Sequence, residues 1–198
     1  MASADGAHQR LYASRTRRLI DDLEGEGGRP PVVLEVGAGA GPNAAWLPAG
    51  TRWVAIEPNV HFRPHLEDAA QRHGLDLEVV TGVAEALPLE SGAADAVLST
   101  LVLCSVEDVA QSLSEIRRVL RPGGRFVFVE HVAAPEGSAL RRVQRAVRRP
   151  WGWIADGCRP DRETERAVLE AGFSHVEVER FRVPLAVVAP HIAGVAVR

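Results

Sequence analysis

An acidic residue and three closely spaced glycines form the stretch of this sequence with the clearest chemical potential. In VVLEVGAGAG, residues 32–41, Glu35 lies two residues before Gly37, and Gly39 and Gly41 follow at alternate positions. Glycines let the backbone turn sharply and approach a ligand closely. The spacing G-x-G-x-G differs from the G-x-G-x-x-G of dinucleotide-binding turns, which present a helix N-terminus to a pyrophosphate. The Glu35 carboxylate would repel such a phosphate, so it favours a ligand that carries positive charge.

A second acidic residue follows at the end of the next apolar run. Glu57, in WVAIEPN, lies about 20 residues after the glycines, where a nucleotide-binding fold accepts hydrogen bonds from ribose hydroxyls. NAD and S-adenosylmethionine both contain that ribose, so Glu57 indicates a nucleoside without choosing between them. Glu35 favours S-adenosylmethionine through its ammonium or sulfonium group. The alternative for Glu35 is a strand-end carboxylate that caps nearby amides.

The elements that must position these residues alternate along the chain. Valine-rich apolar runs predict strands in PVVLEVG, RWVAIEP, LEVVTG, ADAVLST and RFVFVEHV, and helices are predicted in RLYASRTRRLIDDL, FRPHLEDAAQRHG and VEDVAQSLSEIRRVL. This alternation predicts an α/β fold with a parallel sheet covered on both faces. The glycine stretch is then expected to connect the first strand to a helix, at the edge where doubly wound folds bind ligands.

Composition points to a soluble cytoplasmic protein. The chain has 198 residues, 46% of them hydrophobic, a net charge of −3 and no lysine, which excludes Schiff-base chemistry. No window resembles a signal peptide or a membrane span. We expect one domain over 1–198: an N-terminal helical segment at 1–28, a cofactor-binding core at 29–132, a substrate lid at 133–172 and C-terminal strands at 173–198.

The two cysteines, Cys104 and Cys158, predict neither a disulfide framework nor a metal site. Neither cysteine has an evident histidine partner in the sequence, so no metal is expected. Cys104 in LVLCSV is expected to pack as a small apolar residue, and Cys158 has the same interpretation with more room for exposure.

Four segments resemble the successive motifs of class I S-adenosylmethionine-dependent methyltransferases. They are VLEVGAGAG, AIEPN, GVAEALPLESGAADAVLSTLVLCSV and IRRVLRPGGRFVFVEHV, and they run in the family's order over residues 32–132. The resemblance implies a Rossmann-like fold, with a seven-stranded, mostly parallel sheet whose last strand is antiparallel and helices on both faces. It also implies S-adenosylmethionine as cofactor and S-adenosylhomocysteine as product.

The resemblance and the spacing together predict the cofactor-binding residues. The glycine turn is expected to contact the cofactor backbone, Glu57 the ribose, residues 83–85 the adenine, and the end of the fourth strand the methionine part. Val83 departs from the family pattern, because many small-molecule members carry an aspartate there that bonds the adenine amino group; that bond must then come from Glu85 or a backbone carbonyl, or be absent. The full set is Glu35, Gly37, Ala38, Gly39, Glu57, Pro58, Val83, Ala84, Glu85, Thr100 and Leu101.

A narrower resemblance covers most of the chain. TLVLCSVED, EHVAAPEG, DGCRPDRET and PHIAGVAVR are similar to the methyltransferase-like group that includes microsomal alkyl thiol S-methyltransferases. It implies a small-molecule acceptor, with a thiol as the first expectation. It also implies that the family's activity is retained without the N-terminal hydrophobic anchor that those relatives carry. Three alternatives stay open: carbon, oxygen or nitrogen methylation of a quinone, phenol, lipid or natural product; a non-catalytic cofactor-binding partner protein; and an NAD-dependent oxidoreductase, against which Glu35 and the glycine spacing argue.

Two residues are candidates for a catalytic role. His131 follows Glu130 at the end of the fifth strand and could accept a proton or orient the acceptor. Asp156 lies in the segment expected to cover the substrate. Each also has a structural interpretation: His131 could bond backbone in its loop, and Asp156 could cap the helix predicted in DRETERAVLEAG.

An arginine-rich amphipathic helix is predicted over 138–153. It places Leu140, Val143 and Val147 on one stripe with five arginines around it, and Trp151 and Trp153 follow. The stripe is expected to close the substrate pocket as a lid; the alternative is peripheral contact with an anionic membrane surface. A nucleic-acid partner is not expected, because the arginine cluster is local and the rest of the chain is acidic on balance. The oligomeric state cannot be predicted.

Overall fold

A computed structural model, which describes residues 12, 14–21 and 23–198, shows a single seven-stranded sheet. The strands are β1 (Val32–Val36), β2 (Arg52–Ile56), β3 (Asp76–Val80), β4 (Ala94–Thr100), β5 (Leu120–His131), β6 (His175–Arg182) and β7 (Pro190–Val197). The helices are α1 (14–20, as described), α2 (Arg63–His73), α3 (Val109–Val119), α4 (Ala139–Ile154) and α5 (Thr164–Glu170).

The strand order is β3-β2-β1-β4-β5-β7-β6, with β7 antiparallel to both of its neighbours. The other neighbouring strands pair in parallel. Chain order reverses between β1 and β4, so the loops after these two strands diverge and leave a crevice at the carboxyl edge of the sheet. The predicted Rossmann-like α/β fold is confirmed.

Alternate side chains of each strand pack against opposite layers of helices. In β5, Phe126 and Phe128 join the core cluster that contains α3 and α5, whereas Val127 joins the cluster that contains α2 and Ile20 of α1. A strand points successive side chains to opposite faces, so a sheet with helices on both sides is apolar at nearly every strand position. This explains the continuous valine-rich runs of the sequence.

The helix expected directly after the glycine turn does not form. Residues Pro42–Trp46 make one short 3₁₀ segment, and the following Leu47 is extended. Leu47 precedes Pro48, and a residue before proline is disfavoured in the helical conformation. The first full helix after β1 is therefore α2, which follows β2.

The predicted arginine-rich helix is present as α4, but its apolar stripe is not its buried face. Val143 is exposed, and the buried members of α4 are Arg141 and Gln144. Gln144 accepts a hydrogen bond from the Ala134 amide at 2.8 Å and donates to the Val187 carbonyl at 2.9 Å, because these loop groups need partners once they are buried. The apolar stripe is therefore not the buried face of α4, and its role as a lid over the substrate stays a prediction.

No helix within the described residues is long and apolar enough to cross a membrane.

Candidate functional site

A cavity of about 600 Å³ opens at the carboxyl ends of β1 to β4, where the strand order reverses. Its wall comes from the segments that follow these four strands and from one residue after α4. The lining residues are Val36, Gly37, Ile56, Glu57, Pro58, Phe62, Gly82, Val83, Ala84, Glu85, Leu101, Val102, Ser105, Val106, Glu107 and Asp156.

Glu57 presents a fixed carboxylate to this cavity. The side chain is largely buried, and its two oxygens accept the backbone N–H groups of Gly39 at 2.8 Å and Asn59 at 2.9 Å. A carboxylate has about four lone-pair sites, so roughly two of them stay open to further donors. Glu57 can therefore accept two hydroxyl groups of a ligand without giving up the bonds that position it.

Gly37 lines the cavity and lies in close contact with Val102. Its φ is +61°, and a Cβ at this position would lie 2.6 Å from the Val102 side chain. The neighbouring wall residue Leu101 also has a positive φ of 60°, an unfavourable conformation for leucine. Strain at a cavity wall is typical of functional sites, and here it lies directly opposite the glycine turn.

Glu35 does not line the cavity. Its Oε1 accepts from Asn43 Nδ2 at 2.7 Å and its Oε2 from Trp53 Nε1 at 2.9 Å. Burial raises the pKa of Glu35 to about 7, although both hydrogen bonds lower it. Glu35 alternates with Val36 along β1, and Val36 is the neighbour that reaches the cavity. The arrangement favours the structural interpretation, in which Glu35 holds the glycine turn against β2.

The eleven predicted cofactor-binding residues divide into two groups. Seven of the eleven predicted residues line the cavity: Gly37, Glu57, Pro58, Val83, Ala84, Glu85 and Leu101. Ala38 packs in the core, the Gly39 amide donates to Glu57, and the Thr100 hydroxyl accepts from Asn43 at 3.1 Å. The structure thus brings the ribose and adenine candidates together, and places Glu35, Ala38, Gly39 and Thr100 behind them.

Eight lining residues were missed by the sequence reasoning: Val36, Ile56, Phe62, Gly82, Val102, Ser105, Val106 and Glu107. Val36 and Ile56 are the last residues of their strands, so the strand pattern could have found them. The group at 102–107 carries no motif of its own that indicates a pocket. Glu85 Oε1 accepts the Glu107 amide at 2.8 Å, which ties this group to residues 82–85.

His131 and Asp156, the two predicted catalytic residues, lie in different places. Asp156 is on the cavity wall, with a positive φ of 47°. It does not cap α5, whose N-cap residue is Glu163. His131 is buried behind the wall, with its Nε2 3.0 Å from Cys158 Sγ. A catalytic role for either residue stays a prediction.

The expectation that the cysteines lack a histidine partner was wrong. Cys104, His131 and Cys158 are all buried, and one side-chain N or S atom of each lies within 4.8 Å of those of the other two. They belong to segments after β4, at the end of β5 and after α4. Sequence spacing could not reveal the cluster, because only the packing of two loops against the end of β5 brings these residues together.

The chain resembles known methyltransferases in sequence and in fold. A family model described as a methyltransferase domain matches residues 34–128. The human thiol S-methyltransferase TMT1B is 39% identical over 205 residues, covering 100% of this chain and 84% of that protein. Human TMT1A is 38% identical over 194 residues, covering 94% and 79%. Among solved structures, a SAM-dependent methyltransferase of Thermotoga maritima superposes with a TM-score of 0.64 at 20% identity, covering 96% of this chain and 90% of that one.

The similarity over the whole chain and the cavity at the point where the strand order reverses support the same conclusion about the protein's class. The family match spans β1 to β5, which provide most of the cavity wall. The chain is a methyltransferase and belongs to the family that includes the thiol S-methyltransferases TMT1A and TMT1B.

Proposed function

We propose that this enzyme transfers the methyl group of S-adenosylmethionine to the sulfur of a small thiol. The observation that carries the proposal is the cavity whose rim holds Gly37 and the fixed carboxylate of Glu57, in a chain that aligns over its full length with thiol S-methyltransferases. When bound, S-adenosylmethionine supplies an electrophilic methyl group and leaves as S-adenosylhomocysteine.

The cavity wall fits such a cofactor. Glu57 would accept the ribose hydroxyls with its remaining lone pairs. Gly82, Val83 and Ala84 would lie along the adenine, and Glu85 would be the side chain nearest its edge. Gly37 and Leu101 would face the methionine part. At about 600 Å³ the cavity falls in the range of small-molecule sites, so it can hold the cofactor with a small acceptor beside it.

The acceptor side requires little acid–base chemistry from the protein. A thiol reacts as its thiolate, and its free pKa near 8.5 leaves a few per cent ionised at neutral pH. The main contribution of the chain is alignment of donor and acceptor and exclusion of water. Asp156 is the acidic wall residue contributed from beyond β5, so we propose that it contacts and orients the acceptor.

The test is calorimetric titration with S-adenosylmethionine, S-adenosylhomocysteine and NADH, followed by methyl-transfer assays with alkyl thiols, phenols and quinols. We expect binding of the first two, none of NADH, and turnover of thiols. Turnover confined to phenols or quinols would replace the thiol by a different acceptor. Binding without turnover of any acceptor would favour a partner protein that only binds the cofactor.

We further propose that the end of α4 contacts an anionic membrane surface, where an apolar thiol would be concentrated. Trp153 and Ile154 are 85% and 80% exposed, and Arg142, Arg145, Arg148 and Arg149 lie on exposed positions of the same helix. Aromatic side chains beside arginines favour a headgroup interface. Cosedimentation with phosphatidylserine vesicles should fall in Trp153→Ala and should be weak for neutral vesicles; equal binding of both vesicle types would contradict this proposal.

A further inference from the structure

Three soft or borderline metal ligands converge behind the cavity wall. Cys104, His131 and Cys158 are 2%, 4% and 8% exposed, and one ligand atom from each lies within 4.8 Å of the other two. We propose that this cluster, hereafter the Cys2His cluster, binds a thiophilic divalent cation of the Zn²⁺ class. Two thiolates balance the charge of such a cation, which makes the buried site neutral.

Small side-chain shifts would bring the ligand atoms to the separations of tetrahedral coordination. Zn–S bonds of about 2.3 Å and Zn–N bonds of about 2.0–2.1 Å place neighbouring ligand atoms about 3.5–3.8 Å apart. His131 Nε2 and Cys158 Sγ are 3.0 Å apart, as a hydrogen-bonded pair. Small outward shifts of these side chains would open room for the cation. The other ring nitrogen of His131, Nδ1, has no hydrogen-bond partner in the part of the chain that the structure describes, so it is available to a ligand.

Each sulfur also has a neighbouring donor that could support it as a thiolate. Trp151 Nε1 donates to Cys158 Sγ at 3.2 Å, and the Ser105 hydroxyl lies 3.6 Å from Cys104 Sγ. Groups of this kind orient metal ligands and tune their basicity. Both cysteines therefore have a neighbouring polar group of the kind that surrounds metal ligands.

Backbone hydrogen bonds fix the three segments together before any cation arrives. The Arg159 amide donates to the Cys104 carbonyl at 2.9 Å, and the Ala133 amide donates to the Arg162 carbonyl at 2.8 Å. The segment that carries Cys158 is thus joined to the segments that carry Cys104 and His131. Such preorganisation lowers the entropic cost of assembling a site.

The cluster lies one side chain away from the cavity. Ser105, which is in contact with Cys104, is on the cavity wall, and so is Asp156, two residues before Cys158. Three protein ligands leave a fourth position, as in catalytic zinc sites. If the proposed function is correct, Cys104, His131 and Cys158 would hold the cation next to the acceptor, where it would supply Lewis acidity that favours the thiolate form of the acceptor.

The main test uses the reduced full-length protein and Co²⁺. We expect a sulfur-to-cobalt charge-transfer band and visible bands of tetrahedral coordination, saturating at one ion per chain and displaced by Zn²⁺. Because the sequence contains only two cysteines, this band can arise only from Cys104 and Cys158. It should disappear in Cys158→Ser and persist in His175→Ala, a matched control at an exposed histidine paired with Glu177.

A second measurement does not depend on how the variants fold. Zn²⁺ should raise the unfolding temperature of the wild-type protein, and chelator should reverse the rise. Absence of both the band and the thermal shift, with both thiols shown to be reduced, would overturn the proposal. So would a band that survives in Cys158→Ser.

The acceptor role has its own readout. Chelation should lower thiol turnover while leaving S-adenosylhomocysteine affinity unchanged in the same preparation. A protein that binds Co²⁺ as expected and turns over no thiol would keep the metal site and contradict the proposed function. Unchanged thiol turnover after complete metal removal would restrict the cation to a structural role.

Discussion

At the scale of single residues, Glu35 and Glu57 have similar sequence contexts, but only Glu57 lines the cavity. Both stand at or next to the carboxyl end of a strand, within a resemblance to cofactor motifs. Glu35 belongs to the side of β1 that faces α2 and is fully enclosed by Asn43 and Trp53. Glu57 follows the end of β2 and reaches the cavity. Strand alternation, applied from Val36 backwards, predicts this difference.

Replacing Glu57 should weaken cofactor binding. In Glu57→Ala the ribose hydroxyls lose their acceptor, which costs about 1–3 kcal/mol in binding free energy when the hydroxyls are buried. Calorimetry with S-adenosylhomocysteine measures this directly. Glu78→Ala is the matched control, because Glu78 is exposed on β3 and pairs with Arg52. Unchanged affinity in Glu57→Ala would remove Glu57 from the binding site.

Glu35 should make stability depend on pH. Its folded-state pKa of about 7 lies above the value of 4.5 for an ordinary glutamate. Between these values the folded chain holds the proton and the unfolded chain has lost it, so the free energy of unfolding falls as pH rises through this window. At about 1.4 kcal/mol per pKa unit, the loss attributable to Glu35 is about 3.5 kcal/mol.

Chemical denaturation of wild type and Glu35→Gln at several pH values across this window isolates that contribution. The variant keeps the shape of the protonated side chain and cannot ionise, so its free energy of unfolding should fall less steeply with pH. Equal slopes for the two proteins would show that Glu35 titrates normally in the folded chain.

At the scale of elements, Asp95 joins three strands at the edge of the sheet opposite the cavity. Its carboxylate accepts the Val32 amide at 2.7 Å, Arg121 at 2.6 Å and Arg29 at 2.8 Å. Burial alone would raise the pKa of Asp95, but the Val32 amide and the two guanidinium groups lower it overall. The amino ends of β1, β4 and β5 are therefore connected through one side chain.

Asp95→Ala should destabilise the fold without affecting the site. Removing one partner of a buried charge cluster costs several kcal/mol, and the partly exposed arginines reduce this to about 2–3 kcal/mol. The free energy of unfolding from urea denaturation tests the size of the effect. Affinity for S-adenosylhomocysteine should stay near the wild-type value. Asp68→Ala, which removes an exposed pair with Arg72, should change stability by less than about 1 kcal/mol.

The helices α2 and α3 and the strands β1 to β5 were predictable because each pattern is local. Leu113, Ile116 and Val119 recur at helical spacing and are buried in α3. In α4 the same reasoning chose the wrong face. Arg141 lies buried there because it donates to the Asp161 carbonyl and to Glu163, partners that are distant in sequence.

At the scale of the whole molecule, cofactor binding and folding should be coupled. The cavity wall combines the segments that follow four strands with Asp156, so only the folded chain can bind the cofactor. At a S-adenosylhomocysteine concentration one hundred times its dissociation constant, the free energy of unfolding should rise by about 2.7 kcal/mol. Thermal unfolding with and without the ligand measures this, and NADH at the same concentration should have no effect. A similar rise with NADH would favour a general nucleotide site.

The sequence by itself determined the strands β1 to β5, the helices α2 and α3, the glycine turn and the acidic residue that follows β2. These features are encoded within short windows, by hydrophobic period and by backbone requirements such as the positive φ of Gly37. Only the tertiary structure decided which face of α4 is buried, and that Cys104, His131 and Cys158 meet. His131 and Cys158 are 27 residues apart in the chain. Their contact depends on how the segment after α4 packs against the end of β5, which no local pattern specifies.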